Sequence, residues 1–256
     1  MTEIAVAATA PFGADVLERL AAEHDVVQLL TRPDAPRGRG RKVAPSAAKE
    51  VAERLGIPVV HERDALAADT VVVAAYGLLI PESLLDRALW LNVHPSLLPR
   101  WRGAAPVERA IMAGDAETGV TIHRTTKELD AGAIAAQEAF SIGPEDDAGA
   151  VFARAAEVAA RLLGDVLDDP SFTPQPEEGV TYAEKIGPAD RALDPLRPAQ
   201  ELVNRVRALS PHIGAHTDDG LIVWQARADS DRFVPVEVQP AGGKRMEYEA
   251  YLRGRR

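Results

Sequence analysis

The 256-residue sequence predicts an α/β protein in which helices cover a parallel sheet, followed by a smaller, mostly β domain. Short apolar runs alternate with helix-like segments through the first two-thirds of the chain. These runs are nearly continuous in Val, Ala, Ile and Leu, as in strands that are buried on both faces. A proline-rich stretch then marks the point where this alternation stops.

Predicted strands and helices follow one another at short intervals in the first part of the chain. Pro11 stands near the start of the first helix and Gly56 directly after the second, which are positions that these residues favour. Strands are predicted at 3–8, 25–30, 57–62, 70–77, 89–94, 119–126 and 133–140. Helices are predicted at 12–24, 45–56, 81–89 and 145–167.

The character of the sequence changes at DDPSFTPQPEE, residues 168–178, which holds three prolines and many polar side chains. This composition is typical of a linker. A helix-like segment and two strand-like runs follow, at 199–210, 220–228 and 233–239. We therefore predict an N-terminal domain at 1–170, a linker at 171–187 and a small C-terminal domain at 188–256.

Composition restricts the class of protein. The formal net charge of −10 argues against non-specific binding to nucleic acid. The chain has no cysteine, which removes disulfides and thiol chemistry and favours a cytoplasmic protein. No apolar run approaches the roughly 18 residues that a membrane helix needs, so no membrane partner is expected.

The segment LNVHPSLLPRWRGAAP, residues 91–106, concentrates hydrogen-bonding groups where a predicted strand ends. Asn92 and His94 lie at positions i and i+2, so their side chains point to the same face of the sheet. Ligands of open α/β sheets bind beyond the carboxyl ends of strands. This location favours a functional site. The alternative is an Asn and a His that only satisfy the backbone of a turn.

Asp130, in ELDAG, follows a later predicted strand and precedes a glycine turn. Its carboxylate either completes the turn or hydrogen-bonds an imidazole and fixes its tautomer. The other histidines have no spacing typical of a metal site, so no metal is expected. His123 is expected to pack within its strand, and a place near the site is the alternative. The first strand lacks G-x-G-x-x-G, so a dinucleotide cofactor is not expected.

Two basic segments stand out against the acidic background. Residues 32–42, RPDAPRGRGRK, hold five basic groups and one acid, with glycines between the arginines and prolines beside them. Residues 244–256 hold five basic groups and two acids. The first segment predicts a protruding loop, which is either solvated or in contact with phosphates, and we favour contact with nucleic acid.

The block NVHPSLLPRWRGAAPVERAIMAGDAETGVTIHR, followed by LDAG, closely resembles methionyl-tRNA formyltransferases. The resemblance continues through TRPDAPRGRGRKVAPSAAKEVAERLGIPV, VVVAAYGLLIP, TYAEKI, VRALSP and VQPAGGKRM, and covers most of the chain. It implies a Rossmann-like N-terminal domain followed by a small, shortened OB-like β-barrel. It also implies a monomeric cytoplasmic enzyme that moves a formyl group from 10-formyltetrahydrofolate to the amino group of methionyl initiator tRNA.

The resemblance also implies roles for individual residues. The catalytic trio would be Asn92, His94 and Asp130, with Asn92 and His94 donating to an oxyanion and Asp130 orienting His94. Folate would lie along Ser96, Leu97, Leu98 and Pro99, with Tyr76, Gly77, Leu78 and Ile80 on the pterin side. Contacts to tRNA fall to Arg37, Arg39, Arg41, Lys42, Lys244 and Arg245, and Arg39 aligns best with the family's loop arginine.

Three features depart from the family's pattern. Ala8-Thr9-Ala10 stands where the family has Gly-Thr-Pro, the region after the linker is short, and His123 replaces an apolar residue. Two alternatives therefore stay open. One is a formyltransferase for an amino-sugar nucleotide, glycinamide ribonucleotide or another small amine; the other is a non-catalytic relative that binds tRNA or folate. The basic loop favours tRNA, and the presence of all three polar residues favours an enzyme.

Overall fold

The computed structural model describes residues 3–37 and 42–254, and only the backbone of Arg37. The chain forms two compact units. The first comprises Met1–Arg102, Gly119–Ala139 and Ala153–Val180, and the second comprises Gly103–Thr118, Phe140–Phe152 and Thr181–Arg256. The predicted domains at 1–170, 171–187 and 188–256 stay a prediction.

The strands are, in chain order, β1 (Glu3–Ala8), β2 (Asp25–Leu30), β3 (Ala35–Arg37), β4 (Lys42–Ala44), β5 (Val59–Val60), β6 (Thr70–Ala74), β7 (Leu89–His94), β8 (Arg102–Gly103), β9 (Glu117–Arg124), β10 (Ile134–Ser141), β11 (Tyr182–Ala183), β12 (Ala215–His216), β13 (Ile222–Asp229), β14 (Arg232–Gln239) and β15 (Met246–Glu247). The helices are α1 (Pro11–Glu23), α2 (Ala47–Leu55), α3 (Glu82–Leu85), α4 (Pro106–Ala113), α5 (Ala148–Asp168), α6 (Ala199–Leu209) and α7 (Tyr248–Arg253).

A sheet in the order β10-β9-β7-β6-β1-β2-β5 forms the centre of the first unit. The five strands from β7 to β5 run parallel, and β9 joins β7 in the antiparallel direction. The predicted parallel-sheet core is therefore confirmed. The strand predicted at 70–77 ends at Ala74 because Ala75, with φ +46°, turns the backbone out of the extended conformation.

Helix α1 packs unusually close to the sheet. Residues 4–8 of β1 are fully buried, and Gly13 of α1 lies directly over the strand ends. A Cβ at Gly13 would lie 2.2 Å from the carbonyl oxygen of Ala74 and 2.8 Å from the Cβ of Ala8. Glycine is therefore required there, and it lets the helix cover the carboxyl ends of β1 and β6.

The second unit has a separate apolar core. Its antiparallel sheet has the order β12-β13-β14-β15. Leu202, Val206 and Leu209 of α6 pack against Val223 and Val238 of this sheet. The observed sheet agrees with a small C-terminal β region, while closure into an OB-like barrel stays a prediction. Among the described residues no helix has the length and apolar character needed to span a bilayer.

Candidate active site

The candidate site forms where β7 and β9 lie side by side. Their antiparallel register places Asn92 opposite His123 and His94 opposite Thr121. Residues opposite each other share a face of a sheet, as do residues two apart on one strand. Asn92, His94 and His123 are therefore presented to one face, at the carboxyl end of β7.

Asp130 reaches this face from the loop after β9. Its Oδ1 accepts a hydrogen bond from Asn92 Nδ2 at 3.2 Å, and its Oδ2 lies 3.7 Å from His94 Nδ1. The backbone of Asp130 has φ +47°, and Gly132 is required nearby because a Cβ there would lie 1.7 Å from the carbonyl oxygen of Arg124. The fold thus brings together the three side chains that the sequence singled out as catalytic.

His94 is held in one tautomer by a backbone carbonyl. Its Nε2 lies 2.8 Å from the carbonyl oxygen of Trp101, which can only accept, so Nε2 carries a hydrogen. In the neutral ring the lone pair then sits on Nδ1, facing Asp130. Burial lowers the pKa of His94; the Asp130 carboxylate and the Trp101 carbonyl oppose this shift, and His123 adds to it. Neutral His94 is therefore favoured at neutral pH.

His123, for which the sequence favours packing within its strand over a place near the site, is buried in its strand and also contacts Asn92. Its side chain is buried, and its Nδ1 donates to the carbonyl oxygen of Arg124 at 3.0 Å. In the neutral ring Nε2 is consequently an acceptor, 3.1 Å from Asn92 Nδ2. The amide group of Asn92 thus donates to both Asp130 and His123. Within residues 3–37 and 42–254, no three His, Asp or Glu side chains are grouped as metal ligands would be.

The segment predicted to run along folate has its backbone fixed by neighbouring side chains. Thr121 Oγ1 donates to the carbonyl oxygen of Ser96 at 2.7 Å and accepts from Leu98 N at 3.1 Å. Gln137 Nε2 donates to the carbonyl oxygen of Leu98 at 2.9 Å. Ser96 and Leu98 are buried, whereas Leu97 and Pro99 are half-buried. Any ligand here therefore meets a rigid surface made by Leu97 and Pro99.

The residues predicted on the pterin side are not equally accessible. The ring of Tyr76 is 2% exposed and packs in the core with Trp90, and Ile80 packs against the same core. Gly77 and Leu78 are exposed. Tyr76 is therefore buried in the core, and its predicted place on the pterin side stays a prediction. A short apolar run after a strand does not reveal which of its residues turns inward.

The first basic segment begins and ends in a small hairpin. Strands β3 and β4 pair with Arg37 opposite Lys42, and the Lys42 side chain is exposed. Arg39 and Arg41 lie outside the described residues, as does the side chain of Arg37. The protruding loop between these two strands stays a prediction.

The second pair of predicted tRNA contacts lies in the second unit. Lys244 is exposed. The guanidinium of Arg245 lies 3.7 Å from the centre of the Trp224 ring, and its Nη2 donates to the carbonyl oxygen of Pro211 at 2.9 Å. These contacts give Arg245 a structural task within its own unit, so Lys244 is the more available of the two for a partner.

Two further contacts at the site were missed by sequence reasoning. The carbonyl of Trp101 fixes His94, and Gln175 donates to the carbonyl oxygen of Asp130 at 2.8 Å. Trp101 has φ +63°, and a tryptophan in the sequence does not indicate such a backbone conformation. Gln175 stands between two prolines in the stretch predicted as a linker. The polar side chain between two prolines was the one sequence feature that could have indicated the contact made by Gln175.

Comparison with known proteins places the chain among formyltransferases. A family model described as formyl transferase matches residues 2–167. The chain is 46% identical to the methionyl-tRNA formyltransferase of Cereibacter sphaeroides, over 95% of this chain and 93% of that protein. It is 38% identical to the methionyl-tRNA formyltransferase of Dechloromonas aromatica, over 97% of this chain and 94% of that protein.

Solved structures share the fold at low sequence identity. Methionyl-tRNA formyltransferase from Clostridium thermocellum is similar with a TM-score of 0.68 and 14% identity, covering 96% of this chain and 100% of that chain. An N-formyltransferase from Helicobacter canadensis, in complex with folinic acid and dTDP-3-aminofucose, is similar with a TM-score of 0.70 and 16% identity. That match covers 89% of this chain and 88% of the other.

Proposed function

The chain belongs to the methionyl-tRNA formyltransferase family, and we propose that it transfers the formyl group of 10-formyltetrahydrofolate to the α-amino group of methionine carried by initiator tRNA. A formyl-folate is the donor, methionyl-tRNA is the acceptor, and the product serves translation initiation. The observation that carries the chemical part of this proposal is the meeting of Asn92, His94 and Asp130 at the end of β7.

His94 and Asp130 offer two proton acceptors to the attacking nitrogen. The lone pair on His94 Nδ1 and Oδ2 of Asp130 are 3.7 Å apart, and neither can donate to the other when the ring is neutral and the carboxylate ionised. An amino group has two hydrogens, so it can donate to both and direct its lone pair at the formyl carbon. A well-placed base of this kind contributes about 10²–10⁴-fold to a rate.

Asn92 supplies a donor for the oxyanion that develops on the formyl oxygen. Its amide nitrogen lies 3.2 Å from Asp130 Oδ1 and 3.1 Å from His123 Nε2, so rotation of the side chain can redirect one N–H toward substrate. His94 becomes a second donor once Nδ1 has taken the proton of the amine. Loss of one such donor typically lowers kcat by about 10²–10³-fold.

Protonated His94 completes the transfer. The C–N bond to the methionyl nitrogen forms while that nitrogen loses a proton to Nδ1 of His94. The bond between the formyl carbon and N10 of the folate then breaks, and the proton passes from His94 to N10. The carbonyl re-forms, and the products are formylmethionyl-tRNA and tetrahydrofolate, without a covalent enzyme intermediate.

We place the folate beside the fixed turn at 96–99 and the exposed residues Gly77 and Leu78. Leu97 and Pro99 give this turn an apolar surface that suits a planar ring. The hydrogen bonds of Thr121 to Ser96 and Leu98 hold the turn in one conformation. Such a surface loses little freedom when the donor binds, which favours affinity.

We place the acceptor stem of the tRNA against the basic segment at 32–42. The major groove of an A-form helix is too deep and narrow for ordinary readout, but the end of the helix and its single strand are open. Arg37, Arg39, Arg41 and Lys42 suit contacts to phosphates and unpaired bases there. Lys244, and Arg245 to a lesser extent, would hold the acceptor arm through an OB-like second domain.

The proposed reaction has a location and an oligomeric state. Charged initiator tRNA is used where proteins are synthesised, so we place the reaction in the cytoplasm. A single chain carries the basic segment and all three polar side chains of the site, so we propose that a monomer is active.

The proposal is tested by formylation assays with 10-formyltetrahydrofolate and three acceptors. These are methionyl initiator tRNA, methionyl elongator tRNA and an amino-sugar nucleotide. We expect transfer to the initiator tRNA, with a lower kcat/KM for the elongator and none for the sugar. Transfer to the sugar alone would overturn the assigned acceptor. Absence of transfer to every acceptor would favour the non-catalytic alternative.

A further inference from the structure

A segment from the predicted linker is bound along the loop that carries Asp130. Thr173 and Ile134 exchange two backbone hydrogen bonds, each 2.8 Å long, as in a short antiparallel bridge. The guanidinium of Arg124 lies 4.6 Å from the centre of the Phe172 ring. Residues on both sides of the Asp130 loop are thus in contact with 172–173, so this part of the predicted linker is built into the first unit.

Gln175 contacts the turn itself. Its Nε2 donates to the carbonyl oxygens of Asp130 and Gly132, each at 2.8 Å. Both amide hydrogens are therefore directed at the backbone on either side of Ala131. Side-chain donors that join two carbonyls two residues apart restrict the backbone angles between them, and the direction of the Asp130 side chain depends on those angles.

Arg102 sets the orientation of the Gln175 amide. Its Nε and Nη2 donate to Oε1 of Gln175 at 3.1 and 2.6 Å. A flipped amide would turn its NH₂ group toward the guanidinium and its oxygen toward two carbonyl oxygens, so only one orientation satisfies every group. Pro174 and Pro176 flank Gln175 and restrict its backbone further.

The turn needs this support because its conformation is unfavourable for most residues. Asp130 has φ +47°, in the left-handed region, which residues with a side chain seldom adopt. The loop must nevertheless hold the Asp130 carboxylate to within a few tenths of an ångström of Asn92 and His94. A misplacement of about 1 Å typically costs roughly 10²-fold in rate.

We propose that Gln175, oriented by Arg102, is a positioning residue that holds the Asp130 carboxylate toward Asn92 and His94. The inference rests on the proposed function, since it assigns Gln175 a role in that reaction. It predicts that loss of the Gln175 amide affects the chemical step and leaves substrate binding nearly unchanged. A purely structural role would instead alter stability, or KM and kcat together.

The test compares Gln175→Leu and Gln175→Glu with wild type in steady-state formylation. We expect kcat to fall about 10–100-fold in both variants, with KM for folate and tRNA within about threefold of wild type. Glu keeps the contact with Arg102 but cannot donate to the two carbonyls, so it should not rescue activity. Gln28→Leu is the matched control, because Gln28 also bonds to a loop backbone, at Ala65 and Ala67.

The pH profile gives a readout that loss of stability would not change. The Asp130 carboxylate raises the pKa of His94, while burial and His123 lower it. Movement of Asp130 away from His94 removes the raising influence, so the acid limb of kcat should shift to lower pH in Gln175→Leu and stay unchanged in Gln28→Leu. Hydrogen exchange of the peptide spanning 128–134 should become faster, whatever the enzyme's substrate.

Arg102 supplies an independent test if Gln175→Leu does not fold. Arg102→Leu should lower kcat in the same direction but less, and the double variant should be no slower than Gln175→Leu because both residues act through one contact. Equal kcat in wild type and Gln175→Leu, or additive effects in the double variant, would overturn the inference. Inactive wild type would instead count against the proposed function.

Discussion

The Nδ1 atom of His94 lies 3.7 Å from Oδ2 of Asp130, whereas its Nε2 lies 2.8 Å from the carbonyl oxygen of Trp101. The first distance is too long for a direct hydrogen bond and the second is ideal for one. The backbone at Trp101 therefore sets the tautomer of His94, a task for which the turn sequence offers the Asp130 carboxylate as one candidate. We propose that an attacking amine donates to both of these acceptors, which requires it to approach them from the open side of the turn.

Asp130→Asn removes one of these acceptors with little change in shape. The variant should lower kcat by at least about 10²-fold, because a neutral amide neither orients the attacking amine as a carboxylate does nor stabilises the charged His94 ring that forms. Its melting temperature and folate affinity should stay close to wild type, since the amide oxygen can still accept from Asn92. Single-turnover formylation and folate titration measure the two effects. Asp169→Asn, at an exposed position, is the control, and wild-type turnover by Asp130→Asn would refute the assigned role.

The pH dependence of kcat should report the state of His94. Burial lowers the pKa of His94, so the neutral ring that the reaction needs persists below the ordinary histidine value of about 6.5. The expected profile is flat at neutral pH and falls only on the acid side of that value. A rate profile under saturating substrates measures this, and an acid limb at or above the ordinary value would contradict it.

The same shift has a consequence for stability. A histidine whose folded-state pKa is depressed binds fewer protons in the folded than in the unfolded protein at pH values between the two pKa values. Stability from this group is therefore present above about pH 6.5 and is lost as the pH falls toward the folded-state pKa. Replacing His94 by Gln should flatten this part of the curve of unfolding free energy against pH.

Glu108 on α4 should limit stability at neutral pH. Its Oε2 is buried and has no hydrogen-bond partner among the described residues, and burial raises the pKa of its carboxyl group. The folded protein binds more protons than the unfolded one between the ordinary and the raised pKa, so stability falls as the pH rises through that range. An unsatisfied buried group costs roughly 1–3 kcal/mol.

Glu108→Gln should therefore raise the melting temperature at pH 8, by about 2–4 °C for each kcal/mol recovered. The gain should shrink at pH 5, where the carboxyl group of the wild type is closer to neutral. Calorimetry at both pH values measures the difference, with the exposed Glu117→Gln as control. An equal gain at both pH values would show that charge burial is not the cause.

Much of the site could be predicted from local sequence because strand geometry is regular. Asn92 and His94 share a face since they are two residues apart at the end of an apolar run. The near-continuous Val and Ala of the same runs predict the parallel core that the structure has. The contact of Asp130 with Asn92 is harder to predict, because the two residues are 38 positions apart and the direction of the Asp130 side chain depends on a turn with positive φ.

The rest of the site depends on long-range contacts that composition does not encode. His123 lies opposite Asn92 only because β7 and β9 pair in one register, and a slip of one residue would turn it to the other face. Gln175 belongs to a stretch whose prolines and polar residues are typical of a linker, yet its amide reaches the backbone of Asp130. Linker composition predicts the absence of regular structure, and it carries no information about contacts.

Arg39 offers the sharpest test of tRNA binding by the basic segment. Arg39→Ala should raise KM for tRNA and reduce the dependence of log(kcat/KM) on log[salt] by about one unit, because one phosphate contact is lost. KM for folate should not change, since Arg39 is not among the residues assigned to folate. Kinetics from low to moderate salt, with initiator tRNA as the varied substrate, measure both effects.

Arg54→Ala is the matched control, because it removes the same charge from an exposed position on α2. Equal salt slopes for wild type, Arg39→Ala and Arg54→Ala would show that the basic segment makes no contact with phosphate during turnover.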